Sequence, residues 1–181
     1  MFFPDLRPVL GPMHWALVGA AAARLYIPER VMSHLAIMIA RESGAQARSC
    51  LDRAGWGYVG ELTFGGSSWL TPESFRVDII ESDDPWAHRA IELAQSNLDS
   101  HGAPALPLHY LVLMKYKAGR AHDVSDVTHI LGLASVDQLA AARCLFDKWA
   151  PSDREDLDSL IELGQLEYGK KHPARKSDKT V

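Results

Sequence analysis

The first half of the chain alternates short apolar runs with turn residues, and the second half switches to long stretches of helical period. Residues 14–18 (HWALV) end at Gly19 and read as a buried strand. Residues 20–25 are alanine-rich and favour a short helix that Pro28 stops. Residues 31–39 are rich in β-branched and apolar side chains and read as a second strand. Residues 45–54 read as a helix ended by Gly55 and Gly57. Residues 58–64 and 69–70 read as the arms of a hairpin whose turn is Gly65-Gly66-Ser67-Ser68, and 75–80 (FRVDII) as a further strand.

Side chains on a strand alternate between its two faces, so these strands can be sorted face by face. In 31–39 the odd positions are Val31, Ser33, Leu35, Ile37 and Ile39. The even set, counted from the residue before, is Arg30, Met32, His34, Ala36 and Met38. Arg30 and His34 share that even face, which makes it the candidate site. In 75–80, Phe75, Val77 and Ile79 take one face and Arg76, Asp78 and Ile80 the other. An acid in so apolar a strand is costly to bury unless it is paired or bound to a metal, so Asp78 needs a partner.

Asp84 before Pro85 reads as an N-cap with proline at the first helical position, opening a helix that runs to about Ser96. Residues 97–107 carry Gly and Pro and form a loop. Residues 108–117 (LHYLVLMKYK) are apolar nearly all round and read as a central helix, ended by Gly119. Residues 121–131 follow, with Val124, Val127, Ile130 and Leu131 as the core face. Ser135-x-x-Gln138 and Ser152-x-x-Glu155 are capping boxes opening two more helices. The expected fold is α+β, a small mixed sheet flanked by helices in an α/β N-terminal half and then a C-terminal helical bundle. The expected division is 1–103, 104–170 packed on it, and a basic flexible tail at 171–181.

Several motifs recur in one order. A strand ends at Gly19-Ala20, a short helix follows, and Arg30 and His34 precede an apolar stretch. Val77-Asp78-Ile79 sits on a later strand, and Lys115 leads to Arg120-Ala121-His122-Asp123-Val124-Ser125-Asp126. Over about residues 14–132 this set resembles the nucleotidyltransferase-fold superfamily and, within it, the abortive-infection (AbiEii-type) toxin group. That family's pattern is Gly-Gly, a helix, Arg-x-Thr-x-Asp-hydrophobic-Asp, a third aspartate on a later strand, then Lys and Arg-x-x-Asp-x-x-Asp. Aligned without a gap, Arg30 keeps the arginine and Asp78 the third aspartate. Met32, His34 and Ala36 replace the threonine and the first two aspartates, and His109 and Tyr110 replace an acidic pair.

The resemblance implies nucleotide or phosphate binding by Gly19, Ala20, Arg30, Lys115 and Arg120. It puts Asp78 and His34 in catalytic places, with Asp78 the remaining metal ligand, and gives Asp123 and Asp126 a supporting role. Simpler readings stand beside these: a plain turn at Gly19-Ala20, a hydrogen-bonded imidazole at His34, and Arg30 or Arg76 as the ion-pair partner of Asp78. Lys115 would then snorkel, while Arg120, Asp123 and Asp126 would lock helices together.

Nucleotidyl transfer commonly runs on two Mg²⁺ ions held by carboxylates, whereas neutral imidazole is a poor Mg²⁺ ligand and alanine offers none. The expectation is therefore a degenerate nucleotidyltransferase-fold protein that binds a nucleotide or a protein partner in the old cleft, with weakened use of Mg²⁺ and NTP. One alternative is an active enzyme with a remodelled metal site, Glu61, Glu73 or Glu81 replacing the lost acids, that transfers NMP to RNA, protein or a small molecule. Another is a structural or toxin–antitoxin-type interaction protein.

Composition narrows the partners. The chain has 181 residues, 47% of them hydrophobic, enough for a packed core. Its net charge of −4, with no basic stripe, argues against nucleic acid as the main ligand. The basic residues Lys170, Lys171, His172, Arg175, Lys176 and Lys179 read as a solvated tail. Cys50 and Cys144 lie outside any zinc-ligand spacing, and the five tryptophans read as core anchors. The N-terminus lacks the pattern of a secretory signal and no apolar run reaches about 18 residues, so a cytoplasmic location away from membranes is expected.

Overall fold

The computed structural model describes residues 4–32 and 34–169. In chain order it forms α1 (Arg7–Leu10), β1 (Ala16–Leu17), α2 (Gly19–Ala23), β2 (Leu35–Ala40), α3 (Gly44–Arg53), β3 (Gly57–Glu61), β4 (Ser67–Leu70), β5 (Arg76–Ser82) and α4 (Ala87–Ala94). The helical half adds α5 (Leu108–Ala118), α6 (Ala121–Leu133), α7 (Val136–Trp149) and α8 (Arg154–Tyr168). The five strands make one mixed sheet in the order β1-β2-β5-β4-β3. β2 and β5 run parallel at its centre, and the other pairs are antiparallel. A mixed sheet with a C-terminal helical bundle is the architecture expected. The basic tail lies outside the described residues, as does Ser33.

β2 is shorter than its sequence pattern. Its ladder with β5 begins at Leu35 opposite Val77, so Val31 and Met32, upstream of any pairing partner, stay outside the strand. Within the ladder the two periodicities coincide: Ala36 lies directly opposite Asp78 and Met38 opposite Ile80. Ile37 and Ile39, on the other face, are fully buried with Val77 and Ile79.

The hairpin turn also shifts. It closes between Leu62 and Gly66, and Ser67 and Ser68 belong to β4. Gly65 and Gly66 carry the turn at φ of 97° and 101°, a region L side chains avoid, and a Cβ on Gly66 would overlap the Ile79 carbonyl. The serines instead find partners inside the sheet: Trp69 Nε1 donates to Ser67 Oγ at 2.9 Å, and Ser68 Oγ donates to Asp78 at 2.6 Å.

Two caps differ from expectation. α4 starts at Ala87 with Trp86 at its N-cap, because the Asp84 carboxylate accepts from Ser82 Oγ and only the Asp84 backbone carbonyl reaches the helix. Pro151 opens a 3-10 turn that delays α8 to Arg154, so Ser152 bonds Asp153 and makes no box. The Ser135–Gln138 box forms as read.

Buried side chains run without a break from the sheet into the helices, with Leu111, Val112 and Leu113 of α5 fully enclosed. α6 and α8 touch backbone to backbone at Gly132 and Gly164. The segment between α4 and α5 is fastened along β1. Leu17 N donates to the Pro104 carbonyl at 2.7 Å, Leu106 N donates to the Leu17 carbonyl at 3.0 Å, and the Asn97 amide donates to the Ala105 carbonyl at 2.8 Å. Among the described residues no helix is long and apolar enough to cross a membrane.

Candidate functional site

A cleft of about 850 Å³ opens where the sheet meets α5 and the start of α6. Its floor is the face that period two singled out: Ala36 and Met38 of β2 beside Arg76, Asp78 and Ile80 of β5. Gly19 and Ala20 come from the start of α2, Arg30 and His34 from the segment leading into β2, and Lys115, Arg120 and Asp123 from the helical side. Every residue to which the resemblance gives a catalytic, binding or supporting role lines this cleft except Asp126, which is joined to it through Lys115. Gly19 holds a left-handed conformation at φ 58°, with room for a Cβ 4.0 Å from that of Ala36.

Among the described residues Asp78 faces three partners. Its Oδ1 accepts from Ser68 Oγ at 2.6 Å and from Arg76 Nε at 3.1 Å, and its Oδ2 stands 3.4 Å from His34 Nε2. Arg76 is thus the arginine that meets the buried acid. Arg30, the other candidate, sits in the loop before β2, free of the strand's pleat, and crosses to the helical half. Its Nε forms an ion pair with Asp126 Oδ1 at 2.7 Å, and its Nη1 donates to the Val31 carbonyl.

The second cluster is a chain of alternating charges. Lys115 Nζ, almost wholly buried, donates to Asp123 Oδ1 at 2.9 Å and Asp126 Oδ2 at 2.7 Å. Arg120 Nε donates to Asp123 Oδ2 at 2.5 Å, and His122 Nε2 lies 3.7 Å from the same oxygen. The series Arg30, Asp126, Lys115, Asp123, Arg120 ties α5 and α6 to the loop before β2.

Burial pushes the Asp123 carboxyl upward, but the Arg120 guanidinium and the Lys115 ammonium outweigh it and hold the group below the usual carboxylate range. A depressed folded value contributes stability above the unfolded value, about 4, and loses it as pH falls through the folded one. Urea midpoints measured from pH 6 downward should fall off below about pH 4, and Asp123→Asn should flatten that limb. An unchanged acid limb in the variant would remove Asp123 from the account.

Residues resembling a two-metal site raise the question of Mg²⁺, and the donor set does not fit it. Ala36 offers nothing opposite Asp78, and the Asp78 oxygens already face Ser68, Arg76 and His34. The three glutamates that the sequence offered as replacements are held elsewhere or face away. Glu81 lines the cleft, but its carboxylate accepts from Arg48 Nε and Nη2 at 3.0 and 2.9 Å. Glu61 is held by the same guanidinium and by the Tyr58 hydroxyl, which draw its carboxyl down to about 2. Glu73 is exposed and away from the cleft. Among the described residues no group of three or more His, Cys, Asp or Glu could hold a metal ion.

Sequence reasoning gave no site role to Ser68, Trp86 or Lys117. Ser68 is opposite Asp78 only through the β4–β5 register, which no local pattern encodes. Trp86 lines the cleft, is nearly fully buried, and leaves its indole Nε1 without a hydrogen-bond partner among the described residues. A second cavity of about 600 Å³, lined by Trp15, Leu17, Leu25 and Leu35, holds none of the candidate site residues.

No protein-family model matches the chain, and no curated protein does. Among solved structures, the chain is similar to the solution structure of the antibiotic-resistance factor ANT(2'')-Ia, at TM-score 0.48 and 10% identity, over 85% of this chain and 83% of that one. It is also similar to the crystal structure of ANT(2'')-Ia in complex with adenylyl-2''-tobramycin, at TM-score 0.47 and 13% identity, over 85% of this chain and 88% of that one.

Proposed function

We propose that this chain is a nucleotidyltransferase-like protein that binds a nucleotide in the cleft between sheet and helices and does not run efficient two-metal nucleotidyl transfer. Two kinds of support meet here. The motif residues Gly19, Arg30, Asp78, Lys115, Arg120 and Asp123, scattered through the sequence, converge on one cleft large enough for a small ligand. The same ordered set supports an AbiEii-type relative within that superfamily. The observation that carries the loss of two-metal chemistry is the register of β2 and β5, which sets Ala36 opposite an Asp78 already occupied by serine, arginine and histidine.

In this reading the polar groups of the cleft orient and hold the ligand. Asp78 fixes the direction of Arg76 and His34, and Lys115 anchors the helical wall from behind. The test has two arms. A nucleotide at 100 times its dissociation constant should add about 2.7 kcal/mol of stability in a thermal shift. Incubation with labelled NTPs and Mg²⁺ or Mn²⁺ should leave protein and RNA unlabelled. Robust transfer that vanishes in Asp78→Ala would sink the proposal.

The missing acids can also be restored. His34→Asp with Ala36→Asp should create a carboxylate pair two residues apart beside Asp78, and calorimetry should then show Mg²⁺ or Mn²⁺ binding that the parent lacks. A double variant that folds and gains no divalent-ion binding would show that the alignment on the metal strand is wrong.

A further inference from the structure

The charges of the cleft are layered, acids beneath and guanidinium groups above. The side chains of Asp78, Asp123 and Asp126 are 9%, 1% and 7% exposed, whereas those of Arg76 and Arg120, bound to the first two, are 51% and 56% exposed. Both arginines pair through Nε alone. Their terminal nitrogens make no hydrogen bond among the described residues and belong to side chains that line the cleft. Each carboxylate therefore acts as a buried anchor that fixes a planar donor fork facing outward. Such forks match phosphate oxygens in bidentate fashion, with little rotamer freedom left to lose on binding.

From this layering, and resting on the nucleotide reading above, we propose that the cleft takes the polyphosphate of its ligand directly onto Arg76 and Arg120, without a divalent cation between them. A metal–nucleotide complex would bring a further cation against those two guanidinium groups and find the Asp78 and Asp123 carboxylates beneath them already engaged. Two acids just after β5 also line the cleft and stand beside cations of their own. Asp83 lies 3.0 Å from Arg41 Nη2, and Asp84 lies 4.0 Å from Lys117 Nζ.

Calorimetric titration of the full chain with ATP and with inorganic tripolyphosphate, in EDTA and in excess Mg²⁺, tests this. Binding in EDTA should be at least as tight as in Mg²⁺ and should weaken with salt. Arg76→Gln and Arg120→Gln should each weaken it by about tenfold, with Arg→Lys at either position intermediate because the charge remains and the fork is lost. Thermal melts of the variants guard against misfolding, and if one variant fails to fold, the EDTA comparison on the unaltered chain still decides. Binding tenfold or more tighter in Mg²⁺, or indifferent to both arginines, would overturn the direct contact and leave nucleotide binding standing. No binding of ATP or tripolyphosphate under either condition would overturn both.

Discussion

Lys115→Met should destabilise the fold by about 3–5 kcal/mol, the range for removing one partner from a buried ion pair. The substitution keeps the apolar stem and deletes one ammonium, so it leaves Asp123 and Asp126 facing each other across the space Nζ filled. Each acid keeps one arginine, Arg120 for Asp123 and Arg30 for Asp126, which favours the lower part of that range. A domain whose total stability is about 5–15 kcal/mol would feel even that severely. Urea denaturation should show a lower midpoint with an unchanged slope. Adding Asp123→Asn and Asp126→Asn to Lys115→Met should recover much of the loss, because well-packed neutral groups often replace a buried charge set at little cost. A loss below about 1 kcal/mol from Lys115→Met alone would mean that the ammonium does not hold the two carboxylates together.

Gly164→Ala should be nearly as damaging, against the direction that helix propensity gives. Alanine is favoured over glycine in a helix interior by about 1 kcal/mol, so on local grounds the change should stabilise α8. A Cβ at Gly164, however, would overlap the Thr128 carbonyl oxygen and stand 2.8 Å from Gly132 N and 3.1 Å from Gly132 Cα. These are backbone atoms of α6 and cannot rotate aside, so the two helices must separate along their contact. The expected net loss is about 3 kcal/mol, at the upper end for overpacking, which lowers Tm by about 6–12 °C in a chain of this size. Gly132→Ala should behave alike, since its Cβ would overlap the Gly164 carbonyl. A rise in Tm for either variant would show that propensity outweighs packing here and that the helices stand further apart.

What the sequence shows by itself is what local period and turn chemistry encode. The alternation in FRVDII placed Arg76, Asp78 and Ile80 on one face, and that face is the cleft floor. The even set around β2 falls into the same cleft although the strand begins only at Leu35, because Arg30 and Met32 reach it from the preceding loop. Gly119 ends α5 in the left-handed conformation a C-terminal glycine favours. Long-range partners were less accessible. Arg30 and Arg76 were equal candidates for Asp78 until the fold set Asp126 within reach of Arg30. Ser68, hidden in an apparent turn, became a partner of Asp78 only through cross-strand register. The misplaced caps at Asp84 and Ser152 are alike in that each side chain bonds a neighbouring side chain, Ser82 donating to Asp84 and Ser152 donating to Asp153, and neither accepts from a helix N–H.

The fastening of residues 104–106 along β1 bears on aggregation. β1 ends one side of the sheet, and its outer edge would otherwise present bare amide and carbonyl groups at Leu17. An uncovered edge is a template on which a second chain can add a strand. The Leu17 amide and carbonyl are instead both taken by Pro104 and Leu106, so the segment leading into the helical half caps the sheet like a selvedge. A truncation made in front of Pro104 would strip that border and invite the remaining sheets to stack edge to edge into insoluble assemblies.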